Sequence, residues 1–433
     1  MLFFIKNNAT LCLTLCAITL LIWAATETER APIVSAEVGE ELSQPSDLRS
    51  SNSPNNTNQL SSRIGFGLTK GPVDITSPAI ASLQAGFYGH WLVEKEPHRP
   101  NDMAYVQMVG MRQRVACVGG ATDTGDRNQC PYVTPHAFDY TVSQSAIVEV
   151  AQANPGSTWL LGNEPDRFSQ DEMLPESYAQ AYHELYQWIK AADPTAQVAN
   201  AGVVQPTPLR LQYLERVWNA YQTLYGQEMP VDIWNVHNFI LSEHRYDYGA
   251  GIPPGLSEDE GRVLASDMDH VNMDIFKQQI RDFRAWMKDH GQQEKPLIIS
   301  EYGVLYWHCT EHVDAEQTIC AEGKNLYDAE LVRNFMLDTF DFFLNTQDCA
   351  IGYAADDCRL VQRWMWYALN DDGTQAFNPY THLYNYDSNT LSESGMAFQN
   401  YVAANQAALQ LNFRSVLGTE ELPNRIYLPY IQR

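Results

Sequence analysis

The chain has 433 residues, a formal net charge of −25, and 53 acidic against 28 basic side chains. That balance argues against nucleic acid and anionic membrane surfaces as partners, because both are held by clusters of Lys and Arg. Hydrophobic residues make up 45% of the chain, enough for a large buried core, and aromatics reach 11%, a surplus that suits core packing or stacking on sugar rings.

In residues 1–25, Lys6 precedes an apolar stretch over 9–25, which reads as an export signal peptide. Trp23-Ala24-Ala25 is not a clean small-x-small cleavage site, so an uncleaved N-terminal anchor stays open. Membrane contact is expected only in that case. Residues 26–62 are polar and read as a disordered linker. From Arg63, short apolar runs alternate with longer amphipathic ones, the pattern of βα units around a parallel sheet. Strands are expected at 64–68, 85–91, 104–111, 158–163, 197–203, 231–238, 296–302 and 362–369. The clearest helices are expected at 143–153, 175–192, 209–225, 268–290 and 329–344, with a last one at 394–409. Eight strands with helices between them predict an α/β fold, a (β/α)8 TIM barrel, over 63–412. Residues 413–433 form a short apolar C-terminal extension.

Cys12 and Cys16 fall in the export segment. The other six cysteines are an even set in an exported chain, which favours disulfides. The sequence-local pairs Cys117–Cys130, Cys309–Cys320 and Cys349–Cys358 are the simplest choice, each worth about 2–3 kcal/mol if unstrained. No CxxC occurs and no His stands at ligand spacing beside a Cys pair, so zinc is not expected. The acidic turn at Asp123-Thr124-Gly125-Asp126 lacks the spacing and terminal Glu of a calcium loop. A secreted or extracytoplasmic monomer without metal or cofactor is expected.

The chemistry centres on two glutamates. Glu164 ends the run Leu160-Leu161-Gly162-Asn163, and Glu301 ends Leu297-Ile298-Ile299-Ser300. In a barrel whose reactive groups sit at the carboxyl ends of its strands, these become neighbours. Two such carboxylates suffice for retaining glycoside hydrolysis, without a cofactor.

Asn163-Glu164-Pro165 after the fourth strand, with a Glu ending the seventh, resembles clan A of the glycoside hydrolases. Within that clan the chain is most similar to glycoside hydrolase family 128, of β-1,3-glucanase type. Gly86-Phe87-Tyr88-Gly89-His90-Trp91 resembles the family's aromatic second strand. Tyr105-Val106-Gln107-Met108 resembles its third, and Leu161-Gly162-Asn163-Glu164-Pro165-Asp166 its Gly-Phe-Asn-Glu-Pro signature, without the Phe. Val231 to Phe239 resembles its His-bearing sixth strand. Lys295 to Gly303 resembles its seventh. The insertions at 112–142 and 241–266 depart from the family's smaller barrel.

The resemblance implies Glu164 as acid/base and Glu301 as nucleophile, with Asn163 bonding a sugar 2-hydroxyl. It also implies a strand-eight tryptophan under the central sugar. Trp364 and Trp366 share a face, and Trp366, nearer the carboxyl end, is the expected one. His237 at the end of strand six is placed to bond the nucleophile or a sugar hydroxyl. Tyr88, His90 and Trp91 are placed to line a sugar subsite. Alternation turns Tyr302 away from the cleft. The expected partner is a polysaccharide or oligosaccharide, and the first expected activity is an endo-β-1,3-glucanase. A non-catalytic carbohydrate-binding or cell-surface protein on a degenerate barrel is the rival. β-Xylosidase, mannanase, galactanase and transglycosylase activities remain open within the clan.

Overall fold

The computed structural model describes residues 61–69, 74–133, 137–245, 249–305, 309–313, 320–370 and 378–411. The export segment, almost all of the expected linker and the C-terminal extension lie outside them. Among the described residues, no helix is long and apolar enough to cross a membrane.

Eight parallel strands form the centre. They are β1 (Ser61–Gly67), β2 (Ala85–Gly89), β3 (Ala104–Val109), β4 (Thr158–Asn163), β5 (Gln197–Gly202), β6 (Trp234–His237), β7 (Leu297–Glu301) and β8 (Arg363–Trp366). Their hydrogen-bonded order is β5-β4-β3-β2-β1-β8-β7-β6. A parallel bridge between Ala199 and Ile233 joins the two ends, so the sheet closes as a (β/α)8 barrel. Part of that last seam is made by side chains. Asn200 Oδ1 accepts from Asn235 N at 2.8 Å, and Asn200 Nδ2 donates to Asn235 O at 2.8 Å.

Six longer helices follow the later strands: α1 (Gln144–Ala153), α2 (Pro175–Ala192), α3 (Pro208–Tyr225), α4 (Met273–Asp289), α5 (Ala329–Asn345) and α6 (Glu393–Asn405). Among the described residues, the first two βα connections carry single turns, at Pro78–Ala81 and Pro100–Asp102. Caps start the helices where the sequence provides them: Ser143, Thr207, Asn272, Asp328 and Ser392 each accept a backbone N–H of the first turn.

Strand alternation separates two cores. Phe87, Val106, Met108, Leu160, Ala199, Ile233, Ile298 and Met365 fill the barrel lumen. Ile64, Phe66, Trp159, Leu161, Trp234, Ile299, Trp364 and Trp366 belong to the larger layer between strands and helices. The three expected disulfides form. Asp123, in the acidic turn between Cys117 and Cys130, spends its carboxylate on Arg127 at 2.8 Å.

Strand β1 begins at Ser61, two residues inside the expected linker. Ser61 N donates to Gln84 O and Arg63 N to Leu409 O, so pairing starts before the hydrophobic pattern does. Arg63 also forks onto the buried Asp356, with Nη1 donating to Oδ2 at 2.7 Å. This pair ties the first strand to the segment entering the last. Removing Asp356 strands a buried guanidinium, so Asp356→Ala is predicted to cost about 3–5 kcal/mol in urea unfolding. A loss below ~1 kcal/mol would show that the pair does not hold the seam.

Candidate active site

Glu164 and Glu301 meet at the carboxyl ends of β4 and β7, with the imidazole of His237 between them. His237 Nδ1 lies 3.0 Å from Glu164 Oε1, and Nε2 lies 3.9 Å from Glu301 Oε2. One atom from each of the three groups lies within 4.8 Å of the others. The other oxygen of Glu164 accepts from Arg167 Nη1 at 3.2 Å. Glu301 Oε2 accepts from Trp91 Nε1 at 3.2 Å.

Backbone geometry positions these groups. Glu164 and Trp91 hold φ of 45° and 51°, left-handed values that cost a non-glycine residue about 1–3 kcal/mol and recur at functional sites. Two glycines make room. A Cβ on Gly67 would stand 2.6 Å from the Trp91 ring, and one on Gly202 would stand 2.3 Å from His237 Cδ2. The loop after Glu164 is held by Asp171, whose Oδ2 accepts from Asn163 N at 2.8 Å and Met111 N at 2.9 Å. Burial pushes the Asp171 carboxyl up to about 7, against the pull of those two N–H groups.

The two glutamates differ in charge. Burial alone would raise Glu164, but the Arg167 guanidinium and the His237 hydrogen bond outweigh it and bring the carboxyl down to about 2. Burial pushes Glu301 up to about 7; the Glu164 charge adds to this, while His237 and Trp91 offset part of it. Burial disfavours the imidazolium of His237, yet the two carboxylates raise its pKa overall. At neutral pH Glu164 therefore carries the charge, with Arg167 and His237 as its counterions. The three clustered groups are close enough to hold a cation. The Arg167 guanidinium already pairs with Glu164, and the neighbouring carboxylates favour the charged form of His237, both of which disfavour that use.

Of the expected site residues, the fold brings together Glu164, Glu301, His237, Trp91 and Asn163. Asn163 donates through Nδ2 to Gln170 Oε1 at 3.1 Å, while its Oδ1 is buried without a protein partner. His237 Nε2 is likewise buried without a hydrogen-bond partner, 3.9 Å from Glu301 Oε2. Two orphaned polar atoms beside two carboxyls suit a polyhydroxylated ligand.

Two expectations are corrected. Trp366 does not line the cleft. Its ring packs against Tyr302 and Phe340 in the strand–helix layer, and Nε1 donates to Thr381 O at 2.8 Å. Alternation did put Trp364 and Trp366 on one face, but Met365 between them is the residue that enters the lumen. Tyr88 also points outward. It stacks on Phe66, meets Tyr105 edge-on and donates to His98 O at 2.7 Å. His90 lies 3.8 Å from Glu94, on its own loop. Tyr302 faces the helices, as alternation predicts.

Arg167, Gly202, Asp171, Phe239 and Tyr367 were missed. The Tyr367 ring meets Trp91 edge-on at 5.5 Å and Phe239 at 6.4 Å, forming an aromatic wall. Tyr367 directly follows β8, and its place beyond the strand end was the available signal.

No protein-family model and no characterised protein matches the chain in sequence. Among solved structures it is similar to a family 128 (subgroup II) endo-β-1,3-glucanase from Pseudomonas viridiflava, at 14% identity and TM-score 0.46, covering 78% of this chain and 97% of that one. It is also similar to a subgroup I endo-β-1,3-glucanase from Amycolatopsis mediterranei, in complex with laminarihexaose, at 13% identity and TM-score 0.43, covering 78% and 98%. A third is a curdlan-specific exo-β-1,3-glucanase from Blastomyces gilchristii, in complex with glucose, at 16% identity and TM-score 0.44, covering 79% and 99%.

Gly202→Ala is predicted to push the His237 ring off its seat, at about 1–3 kcal/mol of stability. Separation from the carboxylates lowers the His237 pKa, which histidine NMR titration would detect. An unchanged His237 titration would show that the ring does not depend on Gly202.

Proposed function

We propose that the chain is a secreted, retaining glycoside hydrolase acting on a β-linked glycan. The observation that carries this reading is the approach of Glu164 and Glu301 to within 4.8 Å across His237. Retaining enzymes hold their two carboxyl groups about 5–5.5 Å apart, whereas inverting enzymes leave about 6.5–9.5 Å for a water. In this reading Glu301 attacks the anomeric carbon while Glu164 protonates the departing glycosidic oxygen. Glu164 then removes a proton from the water that releases the glycosyl-enzyme. Asn163 Oδ1 and His237 Nε2 are the protein's unpaired partners for sugar hydroxyls at that point. Trp91 and Tyr367 offer aromatic faces beside them. β-1,3-Glucan is the first substrate to test. It is the one expected from the sequence resemblance, and the structurally similar enzymes are named for it.

A glycan-panel hydrolysis screen with NMR of the freshly released anomer is the test. Retention is expected, and inversion would exclude the mechanism. Glu164→Ala should slow cleavage of unactivated glycans by about 10²–10⁴-fold while sparing dinitrophenyl glycosides. Azide should rescue that variant with a β-glycosyl azide product. Glu301→Ala should lose hydrolysis, keep glycan binding, and yield an α-glycosyl azide on rescue. Exchange of the two azide products between the variants would reverse the roles. Undiminished turnover in Glu301→Ala would remove it as nucleophile.

The pH dependence has a definite sign. The carboxyl pair holds one proton between about 2 and about 7, and only that form contains both an acid and a nucleophile. kcat/KM is therefore predicted to fall as pH rises through about 7. A profile still rising at pH 9 would contradict this charge arrangement.

A further inference from the structure

Each oxygen of Glu164 has a polar side-chain partner. Oε1 faces His237 Nδ1 at 3.0 Å, and Oε2 faces Arg167 Nη1 at 3.2 Å. A carboxyl held between an arginine and an imidazole is stabilised as the carboxylate, which has no proton to give to a glycosidic bond. Loosening one of these two partners favours the protonated form that an acid requires. His237 cannot easily move away: it is fully buried, and its ring lies flush on the Gly202 backbone. Arg167 can, because its side chain is 22% exposed and sits on the irregular segment between β4 and α2.

We propose that Arg167 is a movable counterion of Glu164, drawn off Oε2 when a β-linked sugar occupies the site, so that Glu164 becomes the acid. This rests on the glycosidase reading and extends it. The remaining charged groups around Glu164 are fixed. His237 and Glu301 project from β6 and β7, and Asp166 and Asp171 lie on the same loop as Arg167. Asp166 is itself held by the fully buried Arg210. Arg167 is thus the group whose departure can change the charge state of Glu164. The proton count stays at one: the O–H of Glu301 breaks as an O–H forms on Glu164. The carboxylate left on Glu301 is then the nucleophile. Arg167 acts through Glu164 and is a positioning residue.

The test uses full-length Glu301→Gln protein, in which the amide stands in for the neutral Glu301 carboxyl of the empty site. Glutamate carboxyls are labelled with ¹³C, and the Glu164 signal is assigned by its loss in Glu164→Gln. The probe is laminarihexaose, or whichever β-linked oligosaccharide the panel shows to be cut. Saturating sugar is expected to raise the Glu164 titration midpoint by at least ~1 pH unit, the size of shift expected when a close opposite charge is removed. Adding Arg167→Gln should raise the midpoint of the sugar-free protein by a similar amount, after which sugar adds little. Arg167→Lys should restore the sugar-dependent shift. A sugar that binds without moving the Glu164 midpoint overturns the proposal and leaves the glycosidase reading intact. So does an equal shift with and without Arg167, which is what a merely structural arginine gives. Failure of every glycan in the panel to bind or be cut removes the glycosidase reading, and this proposal with it.

Discussion

The burial of two carboxyl groups around a single imidazole governs the organisation of this molecule. Two nearby carboxylates cannot both stay ionised away from water unless cations meet them. The site meets that demand unequally. Glu164 has His237 and Arg167, whereas Glu301 has the neutral indole of Trp91 and a more distant face of the same imidazole. The pair therefore shares one proton, and the unequal placement of cations decides where it rests. That arrangement is the reverse of the one from which the proposed retaining mechanism starts.

Much of the surrounding structure keeps that arrangement in place. The segment after Glu164 is fastened at three points. Arg210 pairs with both Asp166 and Glu243, all fully buried. Asp171 accepts from Asn163 N at the end of β4 and from Met111 N just beyond β3. Glu172 accepts from Arg127 and from Tyr132. The long insertions thereby join the segment that carries Glu164. The stretch holding the Cys117–Cys130 disulfide is tied through Arg127, and the 241–266 stretch through Glu243 and the carbonyls of Ala250 and Gly251. Loops that depart from a minimal barrel thus brace the segment that carries Glu164.

The barrel was largely legible in the sequence. Each strand expectation matches an observed strand to within a few residues, because short buried runs between amphipathic helices have a distinctive pattern. The two glutamates were legible because each ends such a run. Asn163 and His237 also end strands, Trp91 stands two residues beyond one, and the fold gathers them. Trp366 and Tyr88 misled for one reason. Both faces of a barrel strand are buried, so hydrophobicity does not distinguish lumen from helix layer. A one-residue difference in register exchanges the two. Arg167 and Gly202 gave no sequence signal, since their roles depend on atoms supplied by other strands.

By itself the sequence determined the elements, their parallel stacking, the local disulfide pairs and the identity of the two carboxyls. Those follow from local periodicity and short-range spacing, which survive without knowledge of neighbours. Tertiary structure alone decided which tryptophan meets the cleft, which carboxyl carries the charge, and which arginine stands beside it. Each of these depends on distances of a few ångströms between residues far apart in the chain. Coulomb energy and hydrogen bonding change steeply over such distances.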